Sequence, residues 1–188
     1  MNFMQLRERQ PKFPVTVKTG EGVVELIWNK IEYADGYRVF ASPVGKNHFV
    51  GVINVKGTTA VMKKRANGVP MQYKVKAFRI ADGPDNFFGE SEIVIACPLE
   101  TPRRLTAIVG SDGICTLSWR YNSQCDGFKI YADSNESGKY SFVCYSGKNS
   151  CRLDSFTKSG KVSFVVRSFI MTGHTVSYTH LRAHETSL

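Results

Sequence analysis

The chain has 188 residues, of which 42% are hydrophobic and 22% charged, and a formal net charge of +9. This length suits two domains of about 90 residues each. The composition is that of globular protein rather than a disordered chain, and no apolar run approaches the roughly 20 residues that span a bilayer.

The positive excess is spread out. Lys and Arg outnumber Asp and Glu by 14 to 9 over residues 1–99 and by 10 to 6 over residues 100–175. Nucleic-acid footprints are more often a concentrated stripe joined to a recognition motif, so no specific nucleic-acid partner is expected. Weak attraction to anionic polymers fits the charge. The first residues, Met1 to Arg9, lack the long apolar stretch of a secretory leader. They are read as an N-terminal extension, residues 1–10, of a chain that is either cytosolic or not shown from its parent's true start.

From there the pattern is all-β. Val24, Leu26 and Trp28 alternate with Glu25 and Ile27, a period of two with one face inward. Tyr37, Val39 and Ala41 alternate with Arg38 and Phe40, and Tyr73, Val75 and Ala77 alternate with Lys74, Lys76 and Phe78. Turn signals separate these runs: Gly20-Glu21-Gly22, Ala34-Asp35-Gly36, Ser42-Pro43-Val44-Gly45, Asn67-Gly68 and Ala81-Asp82-Gly83-Pro84. About seven short strands at this spacing predict a sandwich of two antiparallel sheets, and no amphipathic helix is expected.

The same pattern then recurs 91 residues later without gaps. Leu26 falls on Leu117, Trp28 on Trp119, Asp35-Gly36 on Asp126-Gly127, Tyr37 on Phe128, Val39 on Ile130 and Phe40 on Tyr131. Further on, Phe49 meets Tyr140, Met62 meets Leu153, Tyr73 meets Phe164, Val75 meets Val166 and Phe78 meets Phe169. Chemical class is kept throughout, which identifies a duplicated unit.

These residues carry a resemblance. The runs Val24 to Trp28, Ala34 to Phe40 and Tyr73 to Phe78 resemble fibronectin type III domains, most closely those of bacterial surface and secreted proteins. The resemblance implies two immunoglobulin-like, seven-stranded β-sandwiches in tandem, over residues 11–98 and 99–175. It implies core roles for Trp28 and Trp119 on the second strand, and for Tyr73 on the sixth as a tyrosine corner. Tyr37, Phe128 and Phe164 complete the expected structural core. Phe164 has no hydroxyl, so the second copy is expected to lack the corner bond. Cys115 stands where the first copy has Val24 and is expected to be a small buried hydrophobe. The join, Cys97 to Pro102, is short and carries two prolines, which predicts a semi-rigid connection.

Residues 176–188 do not continue the repeat. Val176-Ser177-Tyr178-Thr179-His180-Leu181-Arg182-Ala183-His184-Glu185-Thr186 resembles a sequencing-library adapter translated in frame, as in an environmental, metagenomic assembly. This tail is expected to be foreign to the fold. The second sandwich is then expected to be truncated, to lack its native last strand and to expose an unpaired sheet edge, unless the alternation of Val176, Tyr178 and His180 fills the gap by accident.

Little in the chain suggests catalysis or cofactors. The five cysteines, Cys97, Cys115, Cys125, Cys144 and Cys151, include no CxxC pair. Their odd number cannot pair fully within the chain; mostly free thiols are expected, with one or two bridges in the second half left open. His174, His180 and His184 cluster near the end without the glutamate of a metalloprotease helix, and His48 stands alone. No nucleophile elbow, phosphate loop or dinucleotide fingerprint occurs, and a plain sandwich offers no cleft for a pair of glycosidase carboxylates. The expectation is a non-enzyme without cofactor, metal or catalytic residues.

Two features are candidates for binding. Phe87 and Phe88 are placed in the loop from Ala81 that joins the last two strands. Phe40 and Phe78, beside Arg38, Lys74 and Lys76, form an aromatic and basic strip on the outward face, repeated as Tyr131 and Phe169. Such a strip suits sugar rings or anionic polymer; cross-strand pairing that stabilises the sheet is the plainer explanation. By family habit the chain is expected to be a spacer, adhesion or binding module of a bacterial surface or secreted protein, extracellular, with a protein or polysaccharide ligand. The alternatives are an accessory module of a polysaccharide-degrading enzyme and a free-standing intracellular or phage binding protein. A cytoplasmic location stays open, because the unpaired cysteines and the leaderless start fit it.

Overall fold

A computed structural model describes residues 12–83, 86–134, 137–154 and 161–172, and the backbone of 175–178. The N-terminal extension, His174, His180, His184 and the tail beyond Tyr178 lie outside the described residues. The chain divides into two compact units whose main break falls between Ala96 and Cys97, with the short segments Thr19–Val23 and Lys64–Val69 grouped with the second; the two sandwiches themselves follow the strand pairing. Among the described residues every regular element is a strand, and no helix is long and apolar enough to cross a membrane.

The first unit holds β1 (Val15–Gly20), β2 (Val23–Trp28), β3 (Gly36–Pro43), β4 (Val50–Val55), β5 (Thr59–Met62), β6 (Met71–Phe78), β7 (Phe87–Glu90) and β8 (Val94–Ala96). One sheet runs β1-β2-β5. The other runs β4-β3-β6-β7, with β8 also paired to β6. The second unit holds β9 (Arg103–Val109), β10 (Cys115–Arg120), β11 (Gly127–Asp133), β12 (Ser141–Ser146), β13 (Ser150–Leu153), β14 (Ser163–Thr172) and β15 (Thr175–Tyr178). Its sheets run β9-β10-β13 and β12-β11-β14-β15. The two units thus share one strand order, three strands facing four. That is the immunoglobulin-like sandwich in its fibronectin type III arrangement.

Period-two alternation builds both cores. In β2 the residues Val24, Leu26 and Trp28 are buried while those between them are half-exposed, and in β10 Cys115, Leu117 and Trp119 are buried between exposed neighbours. Tyr37, Tyr73, Phe128 and Phe164 are also buried. Trp28 stands edge-on to Tyr37 at 5.3 Å, and Trp119 edge-on to Phe128 at 5.0 Å. Cys115 is wholly buried in the second core; burial raises its thiol pKa.

The recurring Asp-Gly pair has a specific task in each copy. The Asp35 carboxylate accepts the Ile80 N–H at 2.9 Å, and the Asp126 carboxylate accepts the Met171 N–H at 2.6 Å. The glycine beside each aspartate lies under a ring of the neighbouring strand. A Cβ on Gly36 would come within 2.7 Å of Phe78, and one on Gly127 within 3.2 Å of Phe169. An aromatic ring over a cross-strand glycine covers backbone that would otherwise be open to water.

Two features differ from the sequence expectation. Phe87 and Phe88 belong to β7, not to the loop before it. The edge of β14 is not bare either: β15 pairs with it antiparallel, Phe169 opposite Tyr178 and Thr172 opposite Thr175. The first residues of the tail therefore fill the last-strand position, since any extended backbone can satisfy the N–H and C=O groups of an open edge.

The last strand of the first unit is interrupted at Ser91, which is completely buried. Its hydroxyl accepts the Val75 N–H at 2.8 Å and donates to the Glu92 carbonyl at 2.6 Å, while its own N–H donates to the Val75 carbonyl. The side chain thus replaces a missing ladder bond. Ser91→Ala leaves the buried Val75 N–H without its acceptor and is expected to cost about 1–3 kcal/mol. Urea unfolding of the purified chain measures the loss; an unchanged midpoint would show that the hydroxyl contributes nothing.

Candidate binding face

The outward face of β3, β6 and β7 in the first unit brings the predicted strip together. Register places Phe40 opposite Lys74, Arg38 opposite Lys76 and Gly36 opposite Phe78. Phe87 joins them from β7: its ring lies edge-on to Phe40 at 5.5 Å and to Phe78 at 6.5 Å. The Arg38 guanidinium lies 5.4 Å from the Phe87 centroid, and the Lys76 ammonium lies 5.5 Å from Phe87 and 5.6 Å from Phe40. Lys74 sits 4.5 Å over the Phe49 ring. Strand alternation sends the neighbouring ring the other way, so Phe88 packs against the core with Arg79 4.7 Å above it. The two adjacent aromatics are therefore not one contact surface.

Glu90 on β7 reaches Lys76 at 3.1 Å and Lys74 at 3.5 Å. Burial alone would raise its carboxyl, but the hydrogen bonds and positive charges of Lys76 and Lys74 outweigh this and hold its pKa below the ordinary value. Much of the positive charge on this face is thereby answered within the sheet.

In the second unit the corresponding face is more open. Lys129 and Arg167 stand where the first unit has Arg38 and Lys76, and Tyr131 and Phe169 where it has Phe40 and Phe78. Two further rings come from β12. Phe142 lies 5.9 Å from Tyr131 and 4.8 Å from Tyr145, and Tyr145 lies 6.0 Å from Phe169. The four rings form a continuous row. Lys129 lies 5.5 Å from Tyr145 and 5.9 Å from Phe169, and Arg167 5.1 Å from Tyr131. Phe142 and Tyr145 remain 49% and 61% exposed, so their rings offer open faces.

Sequence reasoning missed Phe142 and Tyr145. Three residues apart, they fall on opposite faces of a regular strand. The pairing of β11 with β12 shifts between Ile130 and Tyr131, so that Lys129 faces Tyr145 while Tyr131 faces Phe142. The extra residue, Val143, turns both rings to one side, as a β-bulge does. The first unit has the same shift between Val39 and Phe40.

A separate cleft of about 490 Å³ in the second unit is lined by Tyr121, Ser123, Cys125, Asp126 and Asn149 among others. Its carboxylate, Asp126, already accepts the Met171 N–H. Among the described residues no group of three or more His, Cys, Asp or Glu is placed to hold a metal ion.

No protein-family model and no curated protein matches the chain. Among solved structures it is similar to a two-domain fibronectin type III segment of chicken tenascin, at 14% identity over 93% of this chain and 97% of that one, with a TM-score of 0.47. It is also similar to the FN1-FN3 domains of chicken CNTN1, at 20% identity over 93% of this chain and 65% of that one, with a TM-score of 0.40. A third match, a β-1,2-glucanase from Parabacteroides distasonis, covers 48% of this chain and 13% of that one at 20% identity, with a TM-score of 0.42. The strand order of each unit carries the fold assignment by itself: two fibronectin type III-like sandwiches in tandem.

Proposed function

We propose that this chain is a non-catalytic binding and spacer module of a larger secreted or surface protein, bacterial in type. We further propose that it binds anionic polysaccharide through the aromatic row of its second sandwich. The observation that supports this reading is the exposed pair Phe142 and Tyr145, flanked along the same row by Lys129 and Arg167. Flat rings stack on the apolar faces of sugar rings, and nearby cations answer carboxylate or sulfate groups. The equivalent strip of the first sandwich, with Glu90 between two lysines, is assigned a supporting role in its own sheet.

Affinity electrophoresis in polygalacturonate and in neutral dextran tests the proposal. Retardation by the acidic polymer alone is expected, weakening as salt screens the charges. Tyr145→Ala combined with Phe142→Ala is expected to weaken binding about tenfold, the loss of roughly one good ring contact. Both side chains are exposed, so the fold should persist. Equal retardation by both polymers, or by wild type and double variant, would overturn the assignment.

A further inference from the structure

All five cysteines are free thiols in the structure, but two of them meet. Cys144 on β12 and Cys151 on β13 place their sulfurs 3.0 Å apart. These strands belong to opposite sheets, so the contact bridges the sandwich at one edge. In the first unit the equivalent residues are Ile53 and Ala60, an apolar pair packed in the core. The second unit has two thiols where plain hydrophobic packing served the first.

The chain between them is held in place. The Ser146 hydroxyl donates to the Ser150 carbonyl at 2.6 Å and accepts the Lys148 N–H at 3.1 Å. Asn149 donates through its side chain to the Tyr121 carbonyl at 3.1 Å, and its own carbonyl accepts the Trp119 N–H at 3.1 Å. The sulfurs therefore lie within about 1 Å of bonding distance on a fixed turn.

We propose that Cys144 and Cys151 are a disulfide-forming site that links the two sheets of the second sandwich when the protein meets a small-molecule disulfide or an equivalent thiol oxidant. The reaction proceeds by two exchanges. One cysteine thiolate attacks the reagent, breaking its S–S bond and releasing one thiol. The partner's thiolate then attacks the mixed disulfide, forming the Sγ–Sγ bond and releasing the second thiol. The protein dithiol loses two electrons, which reduce the reagent, and its two protons end on the released thiols.

Burial, with Cys144 close beside it, pushes the Cys151 thiol up to about 12. The thiolate is the attacking form, so closure at neutral pH is slow and speeds up as pH rises.

The test uses the full native chain, equilibrated with oxidised glutathione, capped with iodoacetamide and digested with trypsin. Cleavage after Lys139, Lys148 and Arg152 separates the two cysteines. The expected product is the peptide 140–148 joined to the peptide 149–152, with a rise of about 10 °C in the Tm of the second sandwich, modest because the closed loop is short. The rise should vanish in Cys144→Ser. Recovery of both cysteines alkylated, separate glutathione adducts on each, or bridges from either to Cys115 or Cys125 would overturn the proposal. So would an oxidation-dependent rise that persists in the variant.

Discussion

Trp28→Ala is expected to destabilise the first sandwich by about 3–5 kcal/mol. A domain of this size has only about 5–10 kcal/mol in hand, so the variant should sit near its folding limit. Trp28 is 4% exposed and stands edge-on to Tyr37. Removing it empties the centre of a close-packed core and forfeits a ring pair worth about 0.5–1.5 kcal/mol beyond its area. The indole N–H adds a second consideration. Neither Trp28 nor Trp119 has an acceptor for it among the described residues, and an unanswered buried donor costs about 1–3 kcal/mol. Trp28→Phe removes that donor while keeping most of the ring, so its net loss should stay below about 2 kcal/mol. Urea unfolding followed by far-UV circular dichroism reports the first sandwich, while fluorescence of the remaining Trp119 reports the second. Equal losses for alanine and phenylalanine would show that the ring packing phenylalanine retains does not govern the site.

The parts of this fold that follow one local rule were legible in the sequence. Val24, Leu26 and Trp28 alternate because β2 is regular and half-buried, and their recurrence at Cys115, Leu117 and Trp119 exposes the duplication. What escaped depends on register or on partners distant in the chain. Val143 breaks the alternation of β12, so nothing local says that Phe142 and Tyr145 share a face. Phe87 and Phe88 follow Gly83-Pro84, which reads as loop, yet pairing with β6 draws them into β7. The Cys144–Cys151 contact needs both sheets, because seven residues of separation say nothing about whether a turn folds one sulfur onto the other. The binding strip was seen in part: Arg38, Phe40, Lys74, Lys76 and Phe78 were named, but Glu90, which neutralises the two lysines, lies on a different strand.

Tyrosine chemistry shows the same limit. The resemblance directs attention to Tyr73, which is wholly buried. A turn hydroxyl that the resemblance did not point to is that of Tyr37, which accepts the Ile31 N–H at 2.8 Å. In the second unit Phe128 has no hydroxyl to offer. The equivalent N–H, that of Asn122, donates instead to the Glu100 carboxylate at 3.2 Å, and the Ser123 hydroxyl donates to the same oxygen at 2.9 Å. One backbone donor has two solutions in two copies, and the second draws on a residue about 20 positions away.

Phe128→Ala is expected to cost the second sandwich about 3–5 kcal/mol. Phe128 is 2% exposed and stands edge-on to both Trp119 and Tyr121, at 5.0 and 5.1 Å, so one truncation breaks two ring pairs at once. A second experiment separates this packing from the hydrogen bond beside it. Glu100→Ala leaves the Asn122 N–H without the carboxylate and should cost about 1–3 kcal/mol. Phe128→Tyr alone places a hydroxyl where that N–H is already engaged, and should also destabilise. Combined, the two changes rebuild the Tyr37 arrangement of the first copy. The double variant should therefore be more stable than the sum of the single losses by at least about 0.5 kcal/mol, the scale of direct coupling between neighbouring residues. Thermal and urea unfolding of the four proteins in the cycle measure this coupling. Strict additivity would mean that the tyrosine hydroxyl does not take over the Asn122 N–H, and that the two copies fix this turn by devices that cannot be exchanged.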